Sequence, residues 1–355
     1  MLSALEYHLE RTLRSTALYP DRMVTVDVII NLQAGRLSDA KRASATLEEL
    51  DALTRGLVAP ERGPESLKVR FHQTHYVGHA REIARELLAE PVQGAHLLVS
   101  AGGDGTHGEV LGALAGDRST RAGEGDLAFV RLPFGTGNDG ADAPDLPTAV
   151  RLLLGSAELR RTGRLVVRPA GMSEFSGYNI ASIGLDAYVA YLTNRLKGRF
   201  TGDLYKLLAD VMTLFYERVV GAGRMRAEII DDRGRPGGLE GEFLLFAVGV
   251  SGYRQYGGGK LVMPGYENLC AIESLGLLGK LRLKSLFYRG EHIHEPNVSM
   301  RAVTRAIVHY ERSIPLQIDG ETVWLHAENF PLEFQVLPPE VPVLVYDPRA
   351  AQSKV

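Results

Sequence analysis

A single cysteine, Cys270, excludes an internal disulfide and any cysteine-rich zinc site, and it is compatible with a reducing cytosol. Net charge is scarce too. With 40 Lys and Arg against 43 Asp and Glu, the chain sits at −3 and carries no electrostatic footprint for nucleic acid. Long apolar runs are also missing: the longest uncharged one, Phe243 to Tyr253, falls well short of the ~20 residues a membrane-spanning helix needs. Glu6, Glu10, Arg11 and Arg14 interrupt the apolar core of a secretory signal. The expectation is a cytoplasmic protein without a transmembrane segment. Internal repeats and low-complexity segments are absent as well.

Glycine is what the chain has in quantity, 39 residues among 355. After the apolar run His96 to Ser100 comes Ala101-Gly-Gly-Asp-Gly-Thr-His-Gly-Glu109, which reads as a strand delivering a glycine loop onto a helix at Glu109 to Leu114. Glycine lets backbone amides approach an anion without interference from Cβ, and a helix N-terminus adds unpaired N–H groups and a positive dipole end. Asp104 needs a reason in such a loop. A carboxylate beside a polyphosphate is repelled unless a cation lies between them, so Asp104 is a candidate for Mg²⁺ contact or for proton abstraction. Gly103, Gly105 and Gly108 also satisfy G-x-G-x-x-G, but a dinucleotide site needs an acid about 20 residues on, at the end of the next strand. Leu127 to Leu132 instead runs into a second glycine loop, Pro133-Phe-Gly-Thr-Gly-Asn-Asp139.

The rhythm of the first half is strand and helix in alternation: Thr25 to Ile30, Ala40 to Ala52, Val69 to Gln73, Gly78 to Glu90, then the two glycine loops. That pattern predicts a doubly wound, mostly parallel sheet with ligands at the carboxyl ends of its strands, where Asn31, Thr74, Gly102 and Pro133 fall. Asn31 and Thr74 also fit simple turns. Beyond a helix near Leu146 to Leu154, short β-rich runs predict an antiparallel, sandwich-like domain: Leu165 to Pro169, Met225 to Asp231, Phe243 to Val250, Lys280 to Phe287 and Val303 to Tyr310. An apolar stripe predicts a helix over Leu204 to Val219. Leu2, Leu5, Leu9 and Leu13 form another, expected to dock on the protein itself.

The two loops Gly-Gly-Asp-Gly-Thr and Pro-Phe-Gly-Thr-Gly-Asn-Asp, one helix apart, resemble those of the diacylglycerol kinase and sphingosine kinase family, with NAD kinases as distant relatives sharing the first loop. Further matches follow in the family's order: Asn31 and Gly35, Thr74, Tyr178-Asn179, Gly184-Leu-Asp-Ala187, Gly257-Gly-Gly259 with Pro264, and Asp319-Gly-Glu321. The resemblance implies a nucleotide domain over residues 1–162, rejoined by 338–355, and a β-rich lipid-acceptor domain over 163–337. It implies ATP and Mg²⁺, and a lipid acceptor reached by peripheral contact with a membrane surface; a homodimer stays open.

By residue, the resemblance places Asn31, Thr74, Gly102, Gly103, Gly105 and Thr106 on the nucleotide, together with Gly135, Thr136, Asn138 and Asp139. Asp104 and Asp139 would organise Mg²⁺ through water. Asp319 and Glu321 would be the acid–base pair, Asp319 taking the hydroxyl proton, with Asp104 as its rival; an isolated Asp-Gly is otherwise a turn. Asp186 reads as a helix cap, and His292 and His294 as alternating residues on a strand, structural or substrate-facing. Two departures stand out: Arg161-Thr-Gly163 lies where the family has an acid, and Pro264 leads into Gly-Tyr-Glu-Asn-Leu rather than Asp-Gly, with Glu267 a candidate substitute. Those losses keep open a regulator that binds nucleotide without catalysis. An NAD kinase is the alternative enzyme. Arg195, Lys197, Arg199, Arg282, Lys284 and Arg289, near Phe200, Phe287 and Tyr288, suit anionic headgroups, or else a solvated face.

Overall fold

The computed structural model describes the chain except residues 56, 58–61, 64, 114–126, 136–137, 197–215, 217–219, 221–222, 257–258 and 348–355. It divides into two units, Met1–Thr162 with Glu340–Val355, and Gly163–Pro339.

Unit 1 is an alternation of strands β1 (Val24–Ile30), β2 (Leu67–Gln73), β3 (Ala95–Gly102) and β4 (Leu127–Pro133) with helices α1 (Leu2–Arg14), α2 (Ala40–Thr54), α3 (His79–Ala89), α4 (Asp104–Gly112) and α5 (Leu146–Leu153). Side-chain caps start two of these helices: Asp39 accepts from the Arg42 amide at α2, and Asp145 from the Thr148 amide at α5. The strands lie in the order β2-β1-β3-β4 and pair in parallel, and the chain's last strand adds itself to β4, also in parallel, through Val343 opposite Phe129.

Period-two alternation gives this sheet two unlike faces. Val24, Val26, Val28 and Ile30 of β1 join Leu97, Val99, Val130 and Leu132 in an apolar core with Leu5, Leu9 and Leu13 of α1, Leu50 of α2 and Val150 of α5. The leucine stripe of α1 therefore docks on the protein, with Leu5 wholly buried; each such leucine contributes about 1.5–3 kcal/mol. The opposite face carries Asp27, Arg70, His72, His96, Ser100 and Arg131 beside the buried Ile29, Leu98 and Phe129. Asp27, with no exposed surface, accepts from Arg70 Nε (2.7 Å) and Nη2 (2.8 Å) and lies 2.8 Å from Nε2 of both His72 and His96. These three partners overcome the desolvation of a buried carboxylate and hold its pKa far below the usual range.

Strand β5 (Ala157–Pro169) carries the chain from unit 1 into unit 2. There follow β6 (Phe175–Gly177), β7 (Ile180–Gly184), α6 (Leu185–Leu196), β8 (Met225–Asp231), β9 (Pro236–Gly241), β10 (Phe243–Gly249), β11 (Arg254–Tyr256), β12 (Lys260–Met263), β13 (Leu269–Glu273), α7 (Leu277–Arg289), β14 (Val298–Arg301), β15 (Val303–His309), β16 (Ile314–Ile318) and β17 (Glu321–Leu325). The final strand, β18 (Leu332–Tyr346), starts here and ends in unit 1.

Antiparallel β18-β15-β8-β9 faces a second antiparallel sheet, β14-β13-β10-β7-β16-β17. Phe246 of one and Phe334 of the other meet with ring centroids 6.0 Å apart in the shared core. Cys270 is buried in this core, where desolvation raises its thiol pKa to about 12.

Two expectations are overturned in unit 2. Residues Lys280 to Phe287 are helical, in α7, because Leu-Leu-Gly-Lys-Leu-Arg-Leu-Lys-Ser-Leu-Phe-Tyr-Arg contains no β-branched residue and is rich in helix formers. The helix buries Leu283 and Leu286 while exposing Leu281, which a strand would place beside Leu283. His292 and His294 lie in a 3-10 turn, Glu291–His294, rather than on a strand. His292 is fully buried; its Nε2 donates to the Val262 carbonyl (3.1 Å) and its pKa is pushed down to about 4 by burial. The stretch Leu204 to Val219 lies outside the described residues apart from Tyr216.

Candidate functional site

The strand register of unit 1 brings four loops to one edge. Ile30 is level with Gln73 and with Ala101, and Gly102 with Pro133, so Asn31, Thr74, Gly103 and Phe134 all follow the carboxyl ends of parallel strands. The backbone ties them there: the Thr74 amide donates to the Ile30 carbonyl (2.9 Å), the Asn31 amide to that of Ala101 (3.0 Å), and the Phe134 amide to that of Gly102 (3.1 Å).

The helix after the first glycine loop begins at Asp104, five residues before the Glu109 start expected from sequence, with Gly103 as its N-cap. Gly105 and Thr106 are thus first-turn residues whose amides have no intrahelical partner. Asp104 sits at the positive end of α4, and its Oδ1 accepts from the Gly140 amide (2.8 Å), joining the first loop to the end of the second. Thr106 Oγ1 accepts from Asn31 Nδ2 (2.9 Å), which ties β1 to the same turn.

Close approach explains the glycines. A Cβ on Gly102 would lie 2.6 Å from Thr106 Cβ. One on Gly135 would lie 2.7 Å from the Gly103 Cα and 2.9 Å from Asn138 Oδ1, so the two loops touch backbone to backbone. Asn138 takes φ 56°, in the left-handed region that Asn tolerates, and its buried Oδ1 has no hydrogen-bond partner among the described residues. Thr136 lies outside the described residues. Glu109 accepts from the amides of Gly78 (2.8 Å) and Ala80 (3.2 Å), so α4 caps the start of α3.

Two supports of this corner carried no sequence signal. Arg131 and Asp142 form a buried pair, Nη2 to Oδ1 at 2.6 Å, and the Arg131 amide donates to Oδ2 at 2.7 Å, closing the base of the 134–141 loop. His107 of α4 is buried and lies 2.7 Å from Ser100 Oγ through Nδ1. Burial, reinforced by the Arg131 charge, pushes its pKa down to about 3 and leaves it neutral.

Whether Mg²⁺ fits here turns on the donors. Among the described residues no group of three or more His, Cys, Asp or Glu side chains is placed to hold a metal. Mg²⁺ in phosphoryl-transfer sites, however, keeps several waters and takes one or two carboxylates plus substrate phosphates. Asp104, whose Oδ1 accepts from the Gly140 amide, and Asn138 Oδ1, without a hydrogen-bond partner among the described residues, are hard oxygen atoms at this corner.

The residues that the resemblance assigns to the acceptor side, Asp319 and Glu321, belong to unit 2. Asp319 follows β16 with φ 48°, and its carboxylate accepts from three successive amides: Tyr178 on Oδ2 (2.5 Å), Asn179 and Ile180 on Oδ1 (3.0 Å each). Glu321 opens β17, exposed and with no partner among the described residues. Asp186 is in the first turn of α6, where Oδ2 accepts from Ser182 Oγ (2.7 Å); Gln317 Nε2 donates to the same hydroxyl (3.0 Å) and Gln317 Oε1 accepts from the Gly320 amide (3.1 Å). The Asp-Gly-Glu element is thus braced from two sides. Thr162, where the family's acid was expected, is buried, and its Oγ1 has no hydrogen-bond partner among the described residues.

Residues 26–165 match the family model described as the diacylglycerol kinase catalytic domain. The chain is similar to "Probable lipid kinase YegS-like" of Pseudomonas aeruginosa strain PAO1, 37% identical over 190 residues, which is 53% of this chain and 55% of that protein; the matched stretch thus spans about half of the relative's length. "Diacylglycerol kinase" of Bacillus subtilis strain 168 is 24% identical over 70% of this chain and 78% of its own length. In fold, the chain resembles the crystal structure of a diacylglycerol kinase from Bacillus anthracis strain Sterne, with a TM-score of 0.53 and 16% identity over 92% of this chain and 98% of that one.

Proposed function

We propose that this protein is an ATP-dependent lipid kinase that transfers the γ-phosphoryl group of ATP to a lipid hydroxyl, on diacylglycerol or a related glycerolipid or sphingoid lipid. The observation that carries the reading is the backbone contact between Gly103 and Gly135, which joins two glycine loops at the mouth of α4. Phosphoryl transfer asks the protein chiefly for positioning and charge stabilisation. The amides of Gly105 and Thr106, with Gly102, Gly103 and Gly135 keeping Cβ atoms out of the way, would receive the phosphates. Asn31 and Thr74 border them, and Thr136 has a nucleotide role only by resemblance.

Asp104 and Asp139 would hold Mg²⁺, with Asn138 Oδ1 beside them. Bound Mg²⁺ supplies charge neutralisation on the phosphates. In unit 2, Asp319 engages three amides and shapes the Tyr178–Ile180 turn, so Glu321, with its lone pairs open, is the carboxylate of the pair better suited to take the acceptor proton. The names of the relatives favour a glycerolipid. The proposed acceptor is met at a bilayer surface, from a cytoplasmic location; no described helix is long and apolar enough to cross a membrane.

Label transfer from γ-labelled ATP and Mg²⁺ to a panel of dispersed lipids, with NAD as soluble control, tests the reading. Label in one lipid, lost in Asp104→Ala and Glu321→Gln, is the expected result. Label in NAD alone would overturn the acceptor class, and no transfer despite measurable ATP binding would overturn catalysis.

A further inference from the structure

The outward face of α7 is unusual for a solvated helix. Leu278 is 81% exposed, Leu281 53% and Tyr288 51%. They recur at i, i+3 and i+10, one stripe at helical spacing, opposite the buried Leu283 and Leu286. The helix carries Lys280, Arg282, Lys284 and Arg289 and no acid. Lys280 is buried, whereas the side chains of Arg282 and Arg289 are 68% and 60% exposed and flank the apolar stripe. Each reaches forward to a carboxylate of the following segment, Arg282 to Glu295 (2.7 Å) and Arg289 to Glu291 (3.0 Å). Exposed pairs of this kind are worth about 0–1 kcal/mol, so a phosphate can displace either carboxylate.

The C-terminal end of α7 abuts a second exposed group. A Cβ on Gly290 would lie 2.9 Å from Pro264 Cβ, and the carbonyl of the next residue, Gly265, accepts from the Tyr253 amide (2.8 Å). Tyr266 is 68% exposed and Tyr253 76%. Tyrosine, apolar in body and polar at the tip, suits the layer between headgroups and acyl chains.

We propose that α7 is the element by which this protein lies on a bilayer bearing anionic headgroups, with Leu278, Leu281 and Tyr288 in the interfacial layer and Arg282 and Arg289 on headgroup phosphates. This deepens the lipid-kinase reading and rests on it for its biological sense, but vesicle binding is measured without turnover, so either can fail alone. A second copy of the chain is the poorer occupant, because two basic faces would meet with like charge.

The test is co-sedimentation of the full chain with phosphatidylcholine vesicles, with and without phosphatidylglycerol, at low and high salt. The native protein is expected to bind the anionic vesicles more tightly, and less so in high salt. Leu278→Ser with Leu281→Ser should weaken that binding roughly tenfold or more, about 1.4 kcal/mol. Arg282→Glu with Arg289→Glu should weaken it by on the order of tenfold at low salt, with the difference shrinking in high salt.

Leu159→Ser, which removes an equally exposed leucine (52%) from β5, should change nothing, and circular dichroism should show all variants folded. Absence of native binding to anionic vesicles would overturn the proposal. So would equal binding by the Leu278/Leu281 variant, or a comparable loss in Leu159→Ser. A native dimer by sedimentation velocity that the leucine changes dissociate, without change in vesicle binding, would reassign the face to self-association.

Discussion

The glycine corner of unit 1 and the Asp319 turn of unit 2 use the same parts, carboxylates and backbone amides, in opposite ways. At α4 the amides of Gly105 and Thr106 are left at a helix mouth without intrahelical partners, and Asp104 accepts from the amide of Gly140 in the second loop. At Asp319 one carboxylate draws in three amides of its own unit. The first arrangement keeps donors available for a ligand, while the second spends them on holding a turn. A carboxylate that resemblance assigns to proton transfer therefore has a structural duty that its neighbour Glu321 lacks.

The largest effect should come from the support that neither region advertises. Arg131→Met leaves Asp142 buried without its charge partner, and breaking such a pair costs about 3–5 kcal/mol; denaturant unfolding should show the loss, and ATP affinity should fall with it. If Arg131→Met unfolds like the native chain, the pair is not what closes the second loop. Next, Asp319→Ala should orphan three buried amides and cost on the order of 2–4 kcal/mol, measured by thermal unfolding, with ATP affinity kept. Glu321→Gln, at an exposed position, should stay within about 0.5 kcal/mol of the native stability yet lose transfer activity. Equal stability loss in the two variants would erase the distinction between them.

Acid provides a finer comparison. His107, whose pKa drops from 6.5 to about 3 on folding, is neutral when folded and takes up a proton on unfolding. Its contribution is therefore intact above pH 6.5 and is lost as pH falls from there towards 3, by at most about 1.4 kcal/mol per unit. Asp27, depressed from 3.8, adds its own loss only below that value. Unfolding free energies measured between pH 7 and 4 should flatten in His107→Gln, and an unchanged slope would assign the acid sensitivity to other groups.

The glycine corner was legible in the sequence because glycine is required where two backbones touch, as Gly103 and Gly135 do, or where a side chain crowds the turn, as Thr106 does at Gly102. Strand-end positions of Asn31 and Thr74 followed from alternation alone. The polar cluster on the sheet was not legible: Asp27, Arg70 and His96 are 43 and 69 residues apart, and only the parallel register brings them together. Arg131 and Asp142 were hidden for a related reason, since the glycine loop between them has no periodicity to show that its ends meet. In α7, Lys-Leu-Arg-Leu mimics strand alternation for four residues, and the helix is decided by what packs beneath Leu283 and Leu286. Asp319 was visible as part of a motif, but its three amide bonds depend on β7 and β16 lying side by side.

Titration calorimetry of ATP with Mg²⁺ into the native chain, Gly135→Val and Gly108→Ala tests the central claim most directly. A side chain at Gly135 meets the Gly103 Cα at 2.7 Å, whereas one at Gly108 meets nothing within 4 Å. Gly135→Val should weaken ATP at least about a hundredfold, roughly 2.7 kcal/mol, while Gly108→Ala should bind as the native chain does. Native-like ATP binding by Gly135→Val would contradict the claim that the contact between the two loops builds the phosphate site.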